Sequence, residues 1–533
     1  MPATLVIRGG TVVDGTGAPG RRCDVAVDGD RVVAVGEVPD SVDAQVLDAT
    51  DLVVSPGFIN VLSHAWGSLQ SDPTGACDLL QGVTTEVFGE AFSLGPCDDR
   101  QLEALKFWDD LLENGRVVFP RLSEGLDHLE SIGVAPNIAS FVGGENLRVL
   151  GAGFDDRPLT PAELDRLCGL LAEEMQEGAL GVGTALIYPP GSYARTDELL
   201  ALCRVIGRHD GMYISHLRSE GDRFLECLDE LIQLGRDGHC RAEAYHLKAA
   251  GESNWHKMKL AIERIEQARE SGQPVTADMY PYTAGGTALA AAIPSRFHDG
   301  GPEALLRRLG DPAQRREMAA EMCRPSEQFE NLFLGAGSGS GILFLDDLAD
   351  GTPARGKRLT DLASDLGLDP ADALLEIVAR APGTGTAYFL MDEDNVRLGL
   401  QQPWVSIGSD AAAHQAIPPF TDGATHPRSY GTFARVLGHY CREEGLFTLE
   451  EAVRRMSSLP ADNLGLRDRG RLVPGAFADI AVFDPRTVRD VATYDDPHRY
   501  ALGIHHVVVN GRVVVAGGEL THETPGRRLR RGA

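Results

Sequence analysis

The chain predicts an α/β fold: a parallel (β/α)8, or TIM, barrel with a small β-sandwich module built from both chain ends. Three observations carry this. Short β-rich apolar runs alternate with helical patterns through the centre, both ends are rich in strands and turns, and three central runs end in a polar residue able to bind metal. Those residues are His216 after Tyr213-Ile214-Ser215, His246 after Ala244-Tyr245, and Asp410 after Val405-Ser406-Ile407-Gly408-Ser409. The C-terminal ends of parallel barrel strands form the functional face, so polar groups delivered there point to chemistry. Two neutral imidazoles with carboxylates suit zinc or a similar divalent ion.

The elements follow in order. Leu5-Val6-Ile7-Arg8, Asp24-Val25-Ala26-Val27-Asp28 and Arg31-Val32-Val33-Ala34-Val35 read as strands between Gly/Asp turns. At the other end, Phe477 to Asp484 reads as a strand, and His506 to Val515 as a hairpin turning at Asn510-Gly511. We therefore expect one β module from residues 1–52 and 466–533. The barrel takes 53–465, with strands at 53–61, 84–89, 138–143, 180–186, 211–216, 241–247, 275–281 and 404–409. Helical patterns fall between them, at Pro161 to Gln176, Asp197 to Ile206 and Trp255 to Arg269. The gap from Tyr282 to Trp404 is far longer than a loop. It carries helical segments near 302–321 and 359–379, and the stretch around 288–345 is expected to be an inserted lid. Its glycine turn, Gly335 to Gly341, lacks the following Gly-Lys-Ser/Thr of a phosphate loop.

Composition bounds the partners. A chain of 533 residues with 43% hydrophobic content fills one large domain and a smaller module. Fifty basic against 78 acidic residues give a net charge of −28, which opposes nucleic-acid and anionic-membrane binding. The one basic run, Arg527-Arg528-Leu529-Arg530-Arg531, reads as a solvated terminus. No apolar stretch of about 18 residues occurs, so no membrane span is expected. Met1 to Arg8 reads as a strand, not a signal peptide. Nine dispersed cysteines without a CxxC pair suggest reduced thiols and a cytoplasmic protein. Cys77 and Cys97, flanking the second barrel strand, are read as packing residues. Self-association is left open.

The second strand, Thr84-Thr85-Glu86-Val87-Phe88-Gly89, ends in Glu90. Alternation puts Glu86 and Glu90 on one face, and the C-terminal position favours Glu90 at the barrel mouth. It is the candidate third metal ligand beside His216 and His246. Asp410 is the candidate proton acceptor.

At this point the chain resembles a known group. The segments that carry the likeness are Pro56-Gly57-Phe58-Ile59-Asn60, Gln81-Gly82-Val83-Thr84-Thr85-Glu86, Ile187-Tyr188-Pro189-Pro190-Gly191, Ser215-His216-Leu217-Arg218, His246-Leu247-Lys248, Tyr280-Pro281-Tyr282-Thr283-Ala284-Gly285, Gly408-Ser409-Asp410 and His426-Pro427-Arg428-Ser429-Tyr430-Gly431. Together they resemble the N-acyl-D-amino-acid deacylases, or D-aminoacylases, of the amidohydrolase superfamily, from about residue 4 to residue 515. The resemblance implies a distorted barrel, zinc, and hydrolysis of a small N-acyl amino acid to a D-amino acid and a carboxylate. It makes His216 and His246 zinc ligands and Asp410 catalytic. It sets Lys248, Tyr282, Thr287 and Arg428 on or near positions that hold the substrate carboxylate or line its pocket, with Tyr188 as a pocket wall and Arg148 as a further candidate.

Two departures from the family pattern shape the metal expectation. The usual His-x-His after the first strand reads Leu62-Ser63-His64 here, so one zinc per chain is expected and a second site is doubtful. His64 is left as a weak second-site ligand, a substrate contact or a packed residue. The turn after strand two has Glu90 rather than the usual cysteine, followed by Ala91 where the similar branch has glycine. Rival readings are a cyclic-amide or dipeptide hydrolase, a biosynthetic non-hydrolytic relative, and a non-catalytic binding protein.

Overall fold

The computed structural model describes residues 3–39, 43–98 and 117–532. Met1 and Pro2 of the expected first strand lie outside the described residues. Among the described residues, eight parallel strands make the central sheet. They are β1 (Phe58–Asn60), β2 (Val83–Phe88), β3 (Asn137–Ser140, continued by Val142–Gly143), β4 (Gly181–Ala185), β5 (Met212–His216), β6 (Arg241–Ala244), β7 (Val275–Met279) and β8 (Val405–Ile407). β3 pairs with β2 through its first part and with β4 through its second, so the interruption at Phe141 bends the sheet. β8 returns to the chain just past β1. The Asp410 N–H donates to the Leu62 carbonyl at 2.8 Å, and Ser63 and Ala411 form a parallel bridge.

Helices cover the outside of this sheet and bury one face each. Pro161–Gln176 is typical. Thr160 and Glu163 form a capping box, proline occupies the first turn, and Leu167, Leu171 and Met175 point inward at helical spacing. Thr196–Arg208 and Lys257–Glu270 likewise match their expected patterns within two residues.

The run expected as a single first barrel strand, 53–61, is divided. Val53–Pro56 pairs antiparallel with Ile480–Phe483 in a seven-stranded sheet, and only Phe58–Asn60 joins the barrel. Gly57 stands at the break because a Cβ there would lie 2.2 Å from the Thr84 hydroxyl. The seven-stranded sheet takes strands from both chain ends. It packs on a four-stranded sheet, Arg31–Gly36, Asp24–Asp28, Leu5–Arg8 and Gln45–Asp48, through Leu5, Ile7, Val25, Val54, Ile480, Val482 and Val508.

Between β7 and β8 the chain leaves the barrel. Ala284–Ala288, Gly385–Phe389 and Ile342–Phe344 form a small antiparallel sheet. Helices Pro302–Leu309, Pro312–Met322, Leu359–Leu366 and Pro370–Arg380 pack around a separate apolar core that includes Phe297, Phe333, Phe344, Leu374 and Ile377.

The basic tail is not a solvated terminus. Ile138 and Leu529 exchange backbone hydrogen bonds with the tail and β3, at 2.9 and 2.7 Å. Leu529 is buried with Ile59, Val87, Ala139 and Met212 inside the barrel. Arg528 is buried against Asp127 and donates to the Glu177 carbonyl. With Leu529 buried, Arg528 pairs with Asp127 and Arg531 with Asp210, which charge alone did not reveal. No described helix is long and apolar enough to cross a membrane.

Candidate active site

The C-terminal ends of β2, β5, β6 and β8 converge on one cavity of about 210 Å³. Glu90 lies just past β2. A Cβ at Gly89 would meet the Phe141 carbonyl at 2.5 Å, and Gly89 has φ +112°, so the chain turns sharply there. Ala91 then sits at φ +58°, a left-handed conformation that explains why glycine suits this position. His246 and Asp410 also leave their strands with positive φ, 34° and 52°. Such backbone is costly for residues with a Cβ and clusters at functional sites.

The side chains meet closely. Glu90 Oε1 is 3.2 Å from His216 Nδ1 and 3.2 Å from His246 Nε2. Glu90 Oε2 is 3.2 Å from His64 Nε2, which is 3.0 Å from Asp410 Oδ1. The Arg428 guanidinium is 2.6 Å from Asp410 Oδ2. Two overlapping donor sets result, Glu90/His216/His246 and His64/Glu90/Asp410, each with its donor atoms within 4.8 Å of one another.

Electrostatics agree with a cation-binding set. Burial works against charge on Glu90, but charge on His246 and hydrogen bonds from His216, His246 and His64 hold its carboxyl well below the usual range. Burial also opposes protonation of His216, yet Glu220 and Glu90 push it up to about 9. His64 is likewise pushed up to about 10, burial being outweighed by Asp410 and Glu90. Asp410 is held low: burial opposes this, and Arg428 and His64 overcome it. A buried carboxylate facing two imidazole nitrogens needs a positive charge between them, supplied by protons or by a metal. The donor set fits zinc. Donors about 2.1 Å from a tetrahedral ion stand roughly 3.4 Å apart, close to the Glu90–histidine separations.

The remaining candidates separate. Lys248, Thr287, Arg428 and Tyr188 line the cavity with the metal-competent groups and His64. The Tyr188 ring stands edge-on to His216 with centroids 5.4 Å apart. Tyr282 is a correction. It is buried behind the cavity, edge-on to His426, under the Arg435 guanidinium and near the Pro427 carbonyl. Tyr280 lines the cavity instead, because the chain turns at Pro281 and breaks the strand alternation. Arg148 is also elsewhere, buried in an ion pair with Glu198 at 3.0 Å. Leu62, where the first histidine of His-x-His would stand, is buried in the barrel interior with Ile59 and Val87. Cys77 and Cys97 are buried and join neither donor set.

Sequence reasoning missed Glu220, and it expected a lid around 288–345 without naming the residues that face the floor. Glu220 follows His216 by four residues in Ser215-His216-Leu217-Arg218-Ser219-Glu220, a spacing that could have marked it. The roof comes from the insertion: Gly285, Gly286, Leu332, Tyr388 and Leu390 face the metal-competent floor, and Ile187 completes the wall. No periodicity announces that a distant insertion returns to this point.

A barrel whose strand ends gather a carboxylate, three histidines and an aspartate is the architecture of a metal-dependent hydrolase. Residues 355–515 match the amidohydrolase family. Across its whole length the chain is 35% identical to D-aminoacylase of Alcaligenes xylosoxydans xylosoxydans, covering 99% of that protein. Among solved structures it resembles N-acyl-D-glutamate deacylase of Bordetella bronchiseptica in complex with zinc and a phosphonate inhibitor, with TM-score 0.83, 31% identity, and 99% and 100% of the two chains covered. It also resembles a D-aminoacylase with a binuclear metal centre, described by one-metal activation and second-metal attenuation, with TM-score 0.82, 33% identity and the same coverage. The chain is thus an amidohydrolase, an enzyme that hydrolyses amide bonds. Within that class it belongs to the D-aminoacylase family.

Proposed function

We propose that this chain is a zinc-dependent N-acyl-D-amino-acid deacylase, releasing a D-amino acid and a carboxylate. The observation that carries the reading is the approach of one Glu90 oxygen to ring nitrogens of both His216 and His246, at 3.2 Å each, with Asp410 beside Glu90 in the same cavity. Glu90, His216 and His246 would hold one zinc. When bound, zinc supplies Lewis acidity that polarises an amide carbonyl and makes water easier to deprotonate. Asp410 takes the proton from the attacking water and delivers it to the leaving amide nitrogen. Arg428 keeps Asp410 ionised and, with Lys248, offers positive charge to the substrate carboxylate. Fixing that carboxylate fixes which face of the α-carbon meets the wall, and so sets stereochemistry. Tyr188 and Thr287 bound the acyl side. Ile187, Leu332 and Leu390 give the cavity an apolar wall suited to an apolar substrate side chain.

Only one tight ion is assigned, because Leu62 removes a donor from the second set. His64, Glu90 and Asp410 could still gather a weaker ion, which would compete for the carboxylate that carries the proton. The insertion roofing the cavity acts as its lid, and nine dispersed cysteines without a CxxC pair suit the cytoplasm. One plate tests the reading. Zinc-loaded protein is offered matched N-acetyl-D- and N-acetyl-L-amino acids, and free amine is measured. Cleavage of D-substrates with apolar side chains is expected. Equal cleavage of both enantiomers, or of neither, would reject it. Elemental analysis showing two tight ions per chain would reject the single-metal assignment.

A further inference from the structure

Glu220 has no role in the mechanism above, yet it is buried against three of its residues. It sits in the loop after β5, with its backbone carbonyl accepting from the Ala250 N–H at 2.7 Å. One carboxylate oxygen, Oε1, lies 3.1 Å from His246 Nδ1 and 2.7 Å from the Lys248 ammonium. The other, Oε2, lies 3.3 Å from His216 Nε2, a buried nitrogen with no hydrogen-bond partner. The side chain of Glu220 is only 5% exposed.

The two histidines face Glu90 and Glu220 with opposite ring nitrogens. His216 turns Nδ1 to Glu90 and Nε2 to Glu220, whereas His246 turns Nε2 to Glu90 and Nδ1 to Glu220. A ring nitrogen that binds metal carries no proton, so a neutral ligand imidazole carries its proton on the other nitrogen. That outer N–H needs an acceptor, and a carboxylate is the common choice. Here a single carboxylate lies within 3.3 Å of both outer nitrogens, although the two rings present different atoms.

We propose that Glu220 is a positioning residue, resting on the zinc-deacylase reading. Its carboxylate fixes opposite tautomers in His216 and His246 at once and anchors Lys248 beside them. One acidic side chain thereby couples the metal-binding pair to a group that faces substrate. The Lys248 ammonium is also 2.7 Å from His246 Nδ1, so without Glu220 it would donate to that nitrogen. A proton would then be favoured on Nε2, the atom aimed at Glu90, and the ring could not serve as a ligand.

The test is zinc affinity of the full chain, measured by competition with a chromophoric chelator. The visible spectrum of the cobalt(II)-loaded protein is the second readout, since its bands report ligand geometry. Glu220→Gln keeps the size, but its amide cannot accept from two imidazoles and an ammonium. Zinc affinity is expected to fall roughly 10–100-fold, the usual range for removing such an outer partner, and the cobalt bands to shift. Glu220→Asp keeps the charge and should recover part of both. Wild-type zinc affinity with an unchanged cobalt spectrum in Glu220→Gln would overturn the proposal. Should that variant fail to fold, Glu220→Ala decides in its place: wild-type values for both readouts would overturn the proposal equally. Neither readout needs a substrate. A wild type that binds zinc tightly but cleaves no N-acyl amino acid therefore counts against the deacylase reading and leaves Glu220 unaffected.

Discussion

The cavity has a floor and a roof made by different physics. The floor consists of charged and imidazole groups at the ends of β2, β5, β6 and β8, several on strained backbone, each within 2.6–3.3 Å of another member. The roof comes from residues 285–390 of the insertion, contributes Leu332, Tyr388 and Leu390, and is supported by its own apolar core. A tightly coupled polar floor tolerates no substitution, because each removal leaves a buried partner uncompensated. An apolar roof can change shape without disturbing that network. On the proposed function the floor would carry the chemistry and the roof the choice of substrate, so variants on the two surfaces should behave differently.

The largest effects belong to the floor. His216→Ala or His246→Ala removes a donor outright. Losing an outer-shell partner alone costs about 10–100-fold, so each variant should lose more than about 100-fold in kcat/KM together with tight zinc. Zinc content after dialysis and a single-turnover assay check both. Retention of one tight zinc in either variant would move the metal off this trio.

Asp410→Asn comes next. It keeps the size of the side chain but cannot carry a proton, and general acid–base catalysis is worth about 10²–10⁴ in rate. The fall should appear in kcat, with zinc content preserved. Near-normal turnover would remove Asp410 from the proton path, and loss of zinc would make it a ligand instead.

The floor was largely legible in the sequence; of the roof only an inserted lid could be expected, not the residues that form it. His216, His246 and Asp410 could be found because a parallel barrel delivers strand ends to one face, so local pattern predicts convergence. Glu90 followed from alternation along β2. Tyr282 was misplaced by two residues: the chain bends at Pro281, and Tyr280 faces the cavity in its stead. The roof depends on how more than a hundred residues fold back, a non-local matter that periodicity does not encode. The division of 53–61 between two sheets was hidden likewise, since both partners accept the same apolar run and only Gly57 marks the break.

Glu90 tests the edge of the floor, where the sequence departs from the family's usual cysteine. Glu90→Gln should weaken zinc binding strongly, because an amide is a poor ligand and cannot balance two imidazoles and the ion. Cys97→Ser should leave zinc binding unchanged, since Cys97 belongs to neither donor set. Chelator titration of both variants decides. Zinc loss from Cys97→Ser alone would restore a thiolate site and break the assignment of the floor.

The smallest effects should come from the roof. Leu390→Ala and Leu332→Ala each remove apolar surface from the cavity wall without touching a charged group. A methylene in an apolar pocket is worth about 1–3 kcal/mol of discrimination, or roughly 10–200-fold. Because both leucines also lean on the insertion's core and that core can relax, the lower end applies. We expect kcat/KM for N-acetyl-D-leucine to drop about tenfold relative to N-acetyl-D-alanine, with zinc affinity and the rate on the small substrate held. The readout is the ratio of the two substrates, so a general loss of folded protein cancels. If both substrates fell together and zinc weakened with them, the roof would be coupled to the floor, and the separation of chemistry from selectivity would fail.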